Sequence, residues 1–159
     1  MRPSPHTANH GSRAGILEEA AYLDLLRTTD LFSRRLVLVI KACALSPNQY
    51  NVLRVLRGAP EGLSCGEIAR RMITRDPDIT RLLDRLEKRG LVARNREAGD
   101  RRTVFTRITN TGLRLLARLD KPVLRTHHTL LGHLGPARLR KLTHLLQQAR
   151  AGSRSLYGY

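Results

Sequence analysis

The sequence predicts a mostly α-helical fold interrupted once by a two-stranded β-hairpin. Three observations predict it. Apolar residues recur at three- and four-residue steps over most of the chain. Ser, Thr or Asp, followed by Pro or by Glu/Gln three residues on, marks helix starts at several places. Between Gly90 and Thr109 alone, the pattern changes to alternation on either side of a polar, glycine-containing tip.

Residues 1–15 are rich in Pro, His, Ser, Asn and Gly and read as a disordered arm. Over 16–45, Tyr22, Leu25, Leu26, Phe32, Leu36, Val39, Ile40 and Cys43 form one face of a long helix. At about 28 residues it would be roughly 42 Å long, a length suited to spanning subdomains or lying in a dimer interface. Ser46-Pro47-Asn48-Gln49 is a capping box with Pro at the first helical position. It opens a helix that carries Tyr50, Val52, Leu53, Val55 and Leu56 and stops at Gly58. Ser64-Cys65-Gly66-Glu67 is a second box, with Ile68, Ala69 and Met72 inward. At Asp76-Pro77, Asp76 is the expected N-cap of a helix running to Arg89 and ended by Gly90. Its inward stripe is Ile79, Leu82, Leu83 and Leu86, which leaves Thr80, Arg81, Asp84, Arg85 and Lys88 outward. Leu91–Arg96 and Thr103–Ile108 are the strands of the hairpin. Thr109 caps a helix reaching about Leu131, with a kink or brief break expected at Pro122. A last helix from Gly135-Pro136 carries Leu139, Leu142, Leu145, Leu146 and Ala149, and 151–159 reads as a flexible tail.

The 159 residues include 29 Lys and Arg against 13 Asp and Glu, a net charge of +16, and 25 of the 29 cations are Arg. Such an excess points to a polyanionic partner. The charge is not confined to the hairpin region. Residues 47–108 hold 14 cations against 8 acidic groups, whereas 109–159 hold 9 against 1. Leu36–Ile40 is the longest aliphatic run, too short for a membrane span. Met1 to Gly15 lacks the apolar segment of a secretory signal, and a soluble, cytoplasmic protein is expected. Cys43 and Cys65 are too few for a disulfide framework and have no zinc spacing. Cys43 lies on the apolar stripe of the first helix and reads as core, and Cys65 falls in the first turn of another. His127, His128, His133 and His144 lack partners at ligand spacing, so no metal and no cofactor are expected. No nucleophile–base motif or phosphate-binding glycine loop is present, and the chain does not read as an enzyme.

Two short capped helices followed by a β-ribbon, within 46–108, have the layout of a winged helix-turn-helix. There the second helix fits the major groove and the ribbon tip reaches backbone or minor groove. Leu45-Ser46-Pro47, Leu63 to Ala69, Asp78 to Val92, Asp100-Arg101-Arg102 and Ile108 to Gly112 together resemble the MarR family of bacterial transcriptional regulators. The resemblance spans about Ile16 to Arg150. It implies a homodimer in which 16–45 and 109–150 are dimerisation helices, and binding to a pseudo-palindromic operator in double-stranded DNA, usually as a repressor. Many members bind phenolic or lipophilic effectors, so a small-molecule effector is an implied partner; others sense oxidants through a cysteine near the start of the first helix, where this chain has none. A non-specific architectural nucleic-acid-binding protein is the alternative that the charge favours.

The family's recognition-helix positions fall on Asp78, Thr80, Arg81 and Arg85 and its wing arginine on Arg102; Thr74, Arg75 and Arg101 complete the expected DNA-binding set. Arg81 and Arg85 lie one turn apart and can address one groove, Arg81 with a fork matched to guanine O6 and N7. The alternative is a solvated face with Arg81–Asp84 and Asp84–Lys88 ion pairs. Asp78 is either a cap or an acceptor for cytosine N4. Arg101 and Arg102 either decorate a solvated turn or enter a narrow minor groove. Leu17, Leu139, Leu142, Leu145 and Leu146 are the expected dimerisation residues, since a lone helical lobe cannot cover their stripes.

Overall fold

The computed structural model describes residues 13–74, 76–97 and 100–157, with side chains for 15–74, 76–95 and 104–153. The expected disordered arm, as far as residue 12, lies outside the described residues. Six α-helices and three strands follow in the order α1 (Arg13–Lys41), α2 (Pro47–Arg57), β1 (Leu63–Ser64), α3 (Cys65–Arg71), α4 (Ile79–Lys88), β2 (Val92–Glu97), β3 (Asp100–Ile108), α5 (Asn110–Leu131) and α6 (Gly135–Tyr157). A 3-10 turn, Gly132–Leu134, joins α5 to α6. The fold is a mostly α winged helix-turn-helix, with α3 and α4 as the helical pair and β2–β3 as the wing.

The chain divides into two compact units, 1–35 and 36–159. The first is described by the N-terminal part of α1, on which Ile16, Leu17, Tyr22, Leu25, Leu26 and Leu31 are exposed. The second holds the core: Ile40, Val52, Leu53, Leu56, Ile68, Leu83, Leu86, Val92 and Leu116 are fully buried or nearly so.

Both capping boxes form. Ser46 Oγ accepts from the Gln49 N–H and Ser64 Oγ from the Glu67 N–H, while the Gln49 and Glu67 side chains accept from the backbone N–H of Ser46 and Ser64. Helix α1 ends at Lys41, short of the expected Leu45. Ala44 adopts a left-handed φ of 52°, which turns Leu45 into the core and leaves Ser46 extended to cap α2. The third helix start also differs. The cap of α4 is Asp78, which accepts from the Arg81 N–H, whereas Asp76 accepts from the Asp78 N–H and shapes the preceding turn. Asp-Pro-Asp offers two carboxylates two residues apart, and the second meets the first free helical N–H groups.

Strand β1 was not visible in the sequence, because two residues are too few to alternate. It pairs Leu63 with Thr106 and Ser64 with Phe105, giving an antiparallel sheet of order β1-β3-β2. In the wing, Val92 pairs with Ile108 and Arg94 with Thr106, and the register shifts by a bulge between Arg96 and Glu97. Helix α5 is continuous through Pro122, which excludes the break of the two outcomes expected there. Helix α6 continues to Tyr157, so 151–157 are helical where a tail was expected. One glycine, at position 152, costs a helix only about 1 kcal/mol, too little to end one whose neighbours Ala149, Arg150 and Ala151 favour it.

One junction ties these elements together. Gly90 ends α4 with φ 64°, and the Leu91 N–H returns to the Leu86 carbonyl (3.0 Å). The Leu91 carbonyl accepts from the Thr109 N–H (3.1 Å), and the Thr109 hydroxyl donates to the Gly90 carbonyl (2.7 Å) and accepts from the Gly112 N–H. A Cβ on the buried Gly112 would collide with the Leu91 carbonyl oxygen and with Ile108. Gly112→Ala is therefore expected to lower stability by about 1–3 kcal/mol, read as a lower urea midpoint. Gly66→Ala is the contrasting case, because its Cβ would meet nothing within 4 Å. It should be neutral or stabilise by up to about 1 kcal/mol.

Candidate nucleic-acid interface

Helix α4 is amphipathic in the strict sense. Leu82, Leu83 and Leu86 are buried, while Thr80, Arg81 and Arg85 are exposed on the other side. Its N-terminal approach is held by two asparagines of α2. Asn51 Oδ1 accepts from the Ile73 N–H (2.9 Å), and Asn48 Nδ2 donates to Asp76 Oδ2 (2.7 Å). The Asp78 N–H and the Asn48 amide, with Arg85 nearby, hold the Asp76 carboxyl below the usual carboxylate range. The turn from α3 to α4 is thus fixed on both sides, with Ile73 87% exposed and Thr74 exposed. Arg75 lies outside the described residues.

Both carboxylate oxygens of Asp78 are engaged by Arg81. Oδ1 accepts from its backbone N–H (3.2 Å) and Oδ2 sits 3.1 Å from its Nε. The Arg81 side chain remains 76% exposed. The ion pairs of the solvated-face alternative do not form among the described residues. Arg81 turns back to Asp78, and Asp84 pairs with Arg94 of β2 instead of Arg81 or Lys88.

Arg94 was missed in the sequence. Its Nη2 lies 2.6 Å from Asp84 Oδ1 and 2.5 Å from Glu87 Oε2, its Nε donates to Glu87 Oε2 (2.8 Å), and its backbone N–H donates to Glu87 Oε1 (3.1 Å). One guanidinium therefore fastens the first wing strand to the recognition-type helix. Hydrogen bonds from Arg94 push the Glu87 carboxyl down, and those same bonds raise Arg94. The signal was available. Alternation puts Arg94 on the same strand face as buried Val92, and a cation on a covered face requires acidic partners.

Arg101 and Arg102 belong to β3, on the wing side beyond the bulge, and their side chains lie outside the described residues. At the opposite end of α4, Arg89 donates through Nη1 to the Ala44 carbonyl (2.7 Å) and through Nη2 to that of Cys43 (3.1 Å). Arg57 of α2 pairs with Asp120 of α5 at 2.9 Å. Of the expected dimerisation residues, Leu17, Leu142 and Leu145 are exposed and Leu139 and Leu146 are half-buried. Cys43 and Cys65 are free and pack partly against the core. Among the described residues no cluster of three His, Cys, Asp or Glu could hold a metal, and no described helix is long and apolar enough to cross a membrane.

A braced turn and an exposed Thr-Arg-Arg helix face beside a wing present cations outward, an arrangement that can engage a polyanion. Comparison with known proteins agrees. The model for the MarR family matches residues 45–103. The crystal structure of a MarR transcription factor from Planctomyces limnophilus is 38% identical, over 92% of this chain and 99% of that one, with a TM-score of 0.64. The chain belongs to the MarR family. Among curated relatives, the homoprotocatechuate degradative operon repressor of Escherichia coli is 26% identical over 110 residues, 69% of this chain and 74% of the relative. Escherichia coli MarR, solved in complex with operator DNA, shares the fold with a TM-score of 0.71 at 23% identity, covering 79% of this chain and 89% of that one. This MarR-family chain thus joins a family of transcriptional regulators.

The acidic anchors set a pH dependence. Glu67, held down by the Ser64 hydroxyl and backbone N–H, Asp76 and Glu87 all have folded-state affinities for protons below their ordinary values of 4.5, 3.8 and 4.5. Depressed carboxylates contribute stability that is complete above those ordinary values and is lost as pH falls through the lower folded ones. Thermal melts should therefore show a stability plateau near neutrality and a decline beginning as pH falls towards 4.5. Glu87→Gln should lower the plateau and flatten that decline.

Proposed function

We propose that this protein is a homodimeric, sequence-specific regulator that represses transcription from a pseudo-palindromic operator in double-stranded DNA. The observation that carries the reading is the doubly braced α4. Its Thr80, Arg81 and Arg85 face outward, while Asn48 and Asn51 fix its approach and Arg94 fixes the wing beside it. In this reading α4 enters the major groove, where Arg81 and Arg85 donate to guanine edges and Thr80 contacts a thymine methyl or a phosphate. Asp78 acts by capping α4 and aiming Arg81, since both its oxygens are already used. Thr74 and Arg75 contact the backbone beside the groove. Arg102, with Arg101, reaches the minor groove, where a narrow A·T-rich stretch offers an enhanced negative potential. Support for operator binding comes from the fold shared with Escherichia coli MarR in its operator complex, and for repression from the name of the homoprotocatechuate relative.

The dimer follows from apolar surface. Leu17 is 71% exposed in the single chain, and Leu142 and Leu145 are also open. A second copy would cover these with Leu139 and Leu146. Replacing Leu142 and Leu146 together with Asp should give a monomer or an unfolded chain in sedimentation experiments, whereas the intact protein should sediment as a dimer. A stable wild-type monomer at micromolar concentration would refute the dimer.

The net charge of +16 favours a second reading, a non-specific architectural protein. Selection of bound genomic fragments, followed by competition with unrelated duplex, separates the two, because a regulator should hold one palindrome against a large excess of competitor. Two variants then resolve the contacts. Arg81→Ala should cost about 1–3 kcal/mol at one base-pair position per half-site and relax preference there. Arg102→Ala should weaken binding to all sequences alike and make the slope of log K against log salt shallower by about one unit per subunit. An Arg81→Ala protein with unchanged affinity and unchanged base preference would refute the assignment of α4 as the reader.

A further inference from the structure

The basic C-terminal part of the chain is not used by the reader, and α5 organises it. Arg114, Arg118, Lys121 and Arg125 follow one another at steps of four, three and four residues, and all four are exposed in the single chain. At about 100° per residue they fall within a sector of about 60°, centred about 160° from the buried stripe of Gly112, Leu116, Leu119 and Val123. The exposed apolar residues Leu113 and Leu124 lie on the flank between the two sectors. The helix therefore has a core face, an apolar flank and, opposite the core, a purely cationic ridge about 16 Å long. Among the described residues no carboxylate pairs with any of the four cations; the one acidic group of α5, Asp120, is held by Arg57, and Arg114 donates only to the Thr111 hydroxyl. Like charges at this spacing destabilise a helix, so the ridge is a cost to the isolated fold that a ligand of opposite charge would remove.

We propose that this ridge docks a second DNA duplex, so that a dimer seated on its operator can hold another segment of DNA against its α5 helices. The inference rests on the DNA-binding reading above. A duplex backbone is the occupant that the chemistry favours. A straight row of cations matches a straight polyanion with about one charge per 1.7 Å of axis, and three of the four cations are guanidinium forks shaped for phosphate. No Phe, Tyr or Trp lies on α5 for the bases of a single strand to stack on, and its two imidazoles, His127 and His128, fall past the C-terminal end of the ridge. The apolar flank beside the ridge exposes only Leu113 and Leu124 as large apolar side chains of α5, about three turns apart, too sparse to seat an acidic amphipathic helix.

The test uses the full-length protein and two duplexes. An immobilised short operator, taken from the genomic selection, is saturated with protein, and capture of a labelled duplex lacking the operator is measured at increasing salt. Wild type should capture it and release it as salt rises. Arg118→Glu/Lys121→Glu/Arg125→Glu should bind the short operator as wild type does but capture the second duplex at least about tenfold less well, and Arg118→Gln/Arg125→Gln, which leaves no new charge to disturb folding, should fall between. If wild type fails to bind any short operator selectively, the regulator reading fails and the ridge is then judged by binding of the non-operator duplex alone, wild type against variants. Undiminished capture by the variants refutes the ridge. An equal loss of short-operator binding also refutes it, since the ridge would then belong to the primary grip. Competition by polyglutamate or single-stranded DNA as effective as by duplex would overturn the choice of occupant.

Discussion

The close approach of Gly112 to the Leu91 carbonyl is the constraint on which the remaining geometry depends. Within a few residues of that contact, α4 ends, both wing strands have their roots and α5 begins. Backbone hydrogen bonds from Thr109 hold the same spot from the other side. Because the junction is made of backbone and of one glycine without a side chain, it cannot be loosened and repacked as an apolar contact can. The wing therefore leaves the body of the protein in a direction set by where α5 starts, and α4 stops in a position set by the same atoms. Helix, wing and C-terminal helices are registered to one another before any long side chain takes part.

Side chains then stiffen what the junction registers. Two asparagines on α2 reach the turn before α4, and Arg94 on β2 reaches back to α4 itself. A surface meant to match a rigid polymer has to lose little freedom on binding, since every side chain or loop that orders in the complex subtracts from affinity. Here most of that ordering is already done. The groups left unbraced at the surface are the ends of exposed arginines such as Arg85.

The parts of this arrangement that were legible in the sequence are those fixed by local chemistry. Ser46 and Ser64 cap where their Gln and Glu partners stand three residues on, Gly90 stops α4, and alternation marks the wing strands. What escaped depended on partners distant in the chain. Strand β1 exists only because β3 lies beside it. The choice between Asp76 and Asp78 as cap was settled by Asn48, 28 residues away from Asp76. Asp84 faced outward as expected, but what it meets there is a strand, and nothing along α4 itself announces that. For the site, Thr80, Arg81 and Arg85 were placed by helical period alone, whereas the braces behind them were not.

Arg89 and Arg94 show that some of this chain's arginine is not interchangeable with lysine. Arg89 spans two carbonyls just past the end of α1 with two separate nitrogens, and Arg94 spans Glu87 and Asp84, with Nε and Nη2 both on Glu87 while Nη2 also reaches Asp84. A lysine ammonium is a single point of charge and could not replace either span. Formal charge and architecture can thus be separated in an engineered variant. Lysine scanning or charge dilution of the outer arginines alters solubility and electrostatic reach, while the same exchange at these two positions removes a joint from the scaffold.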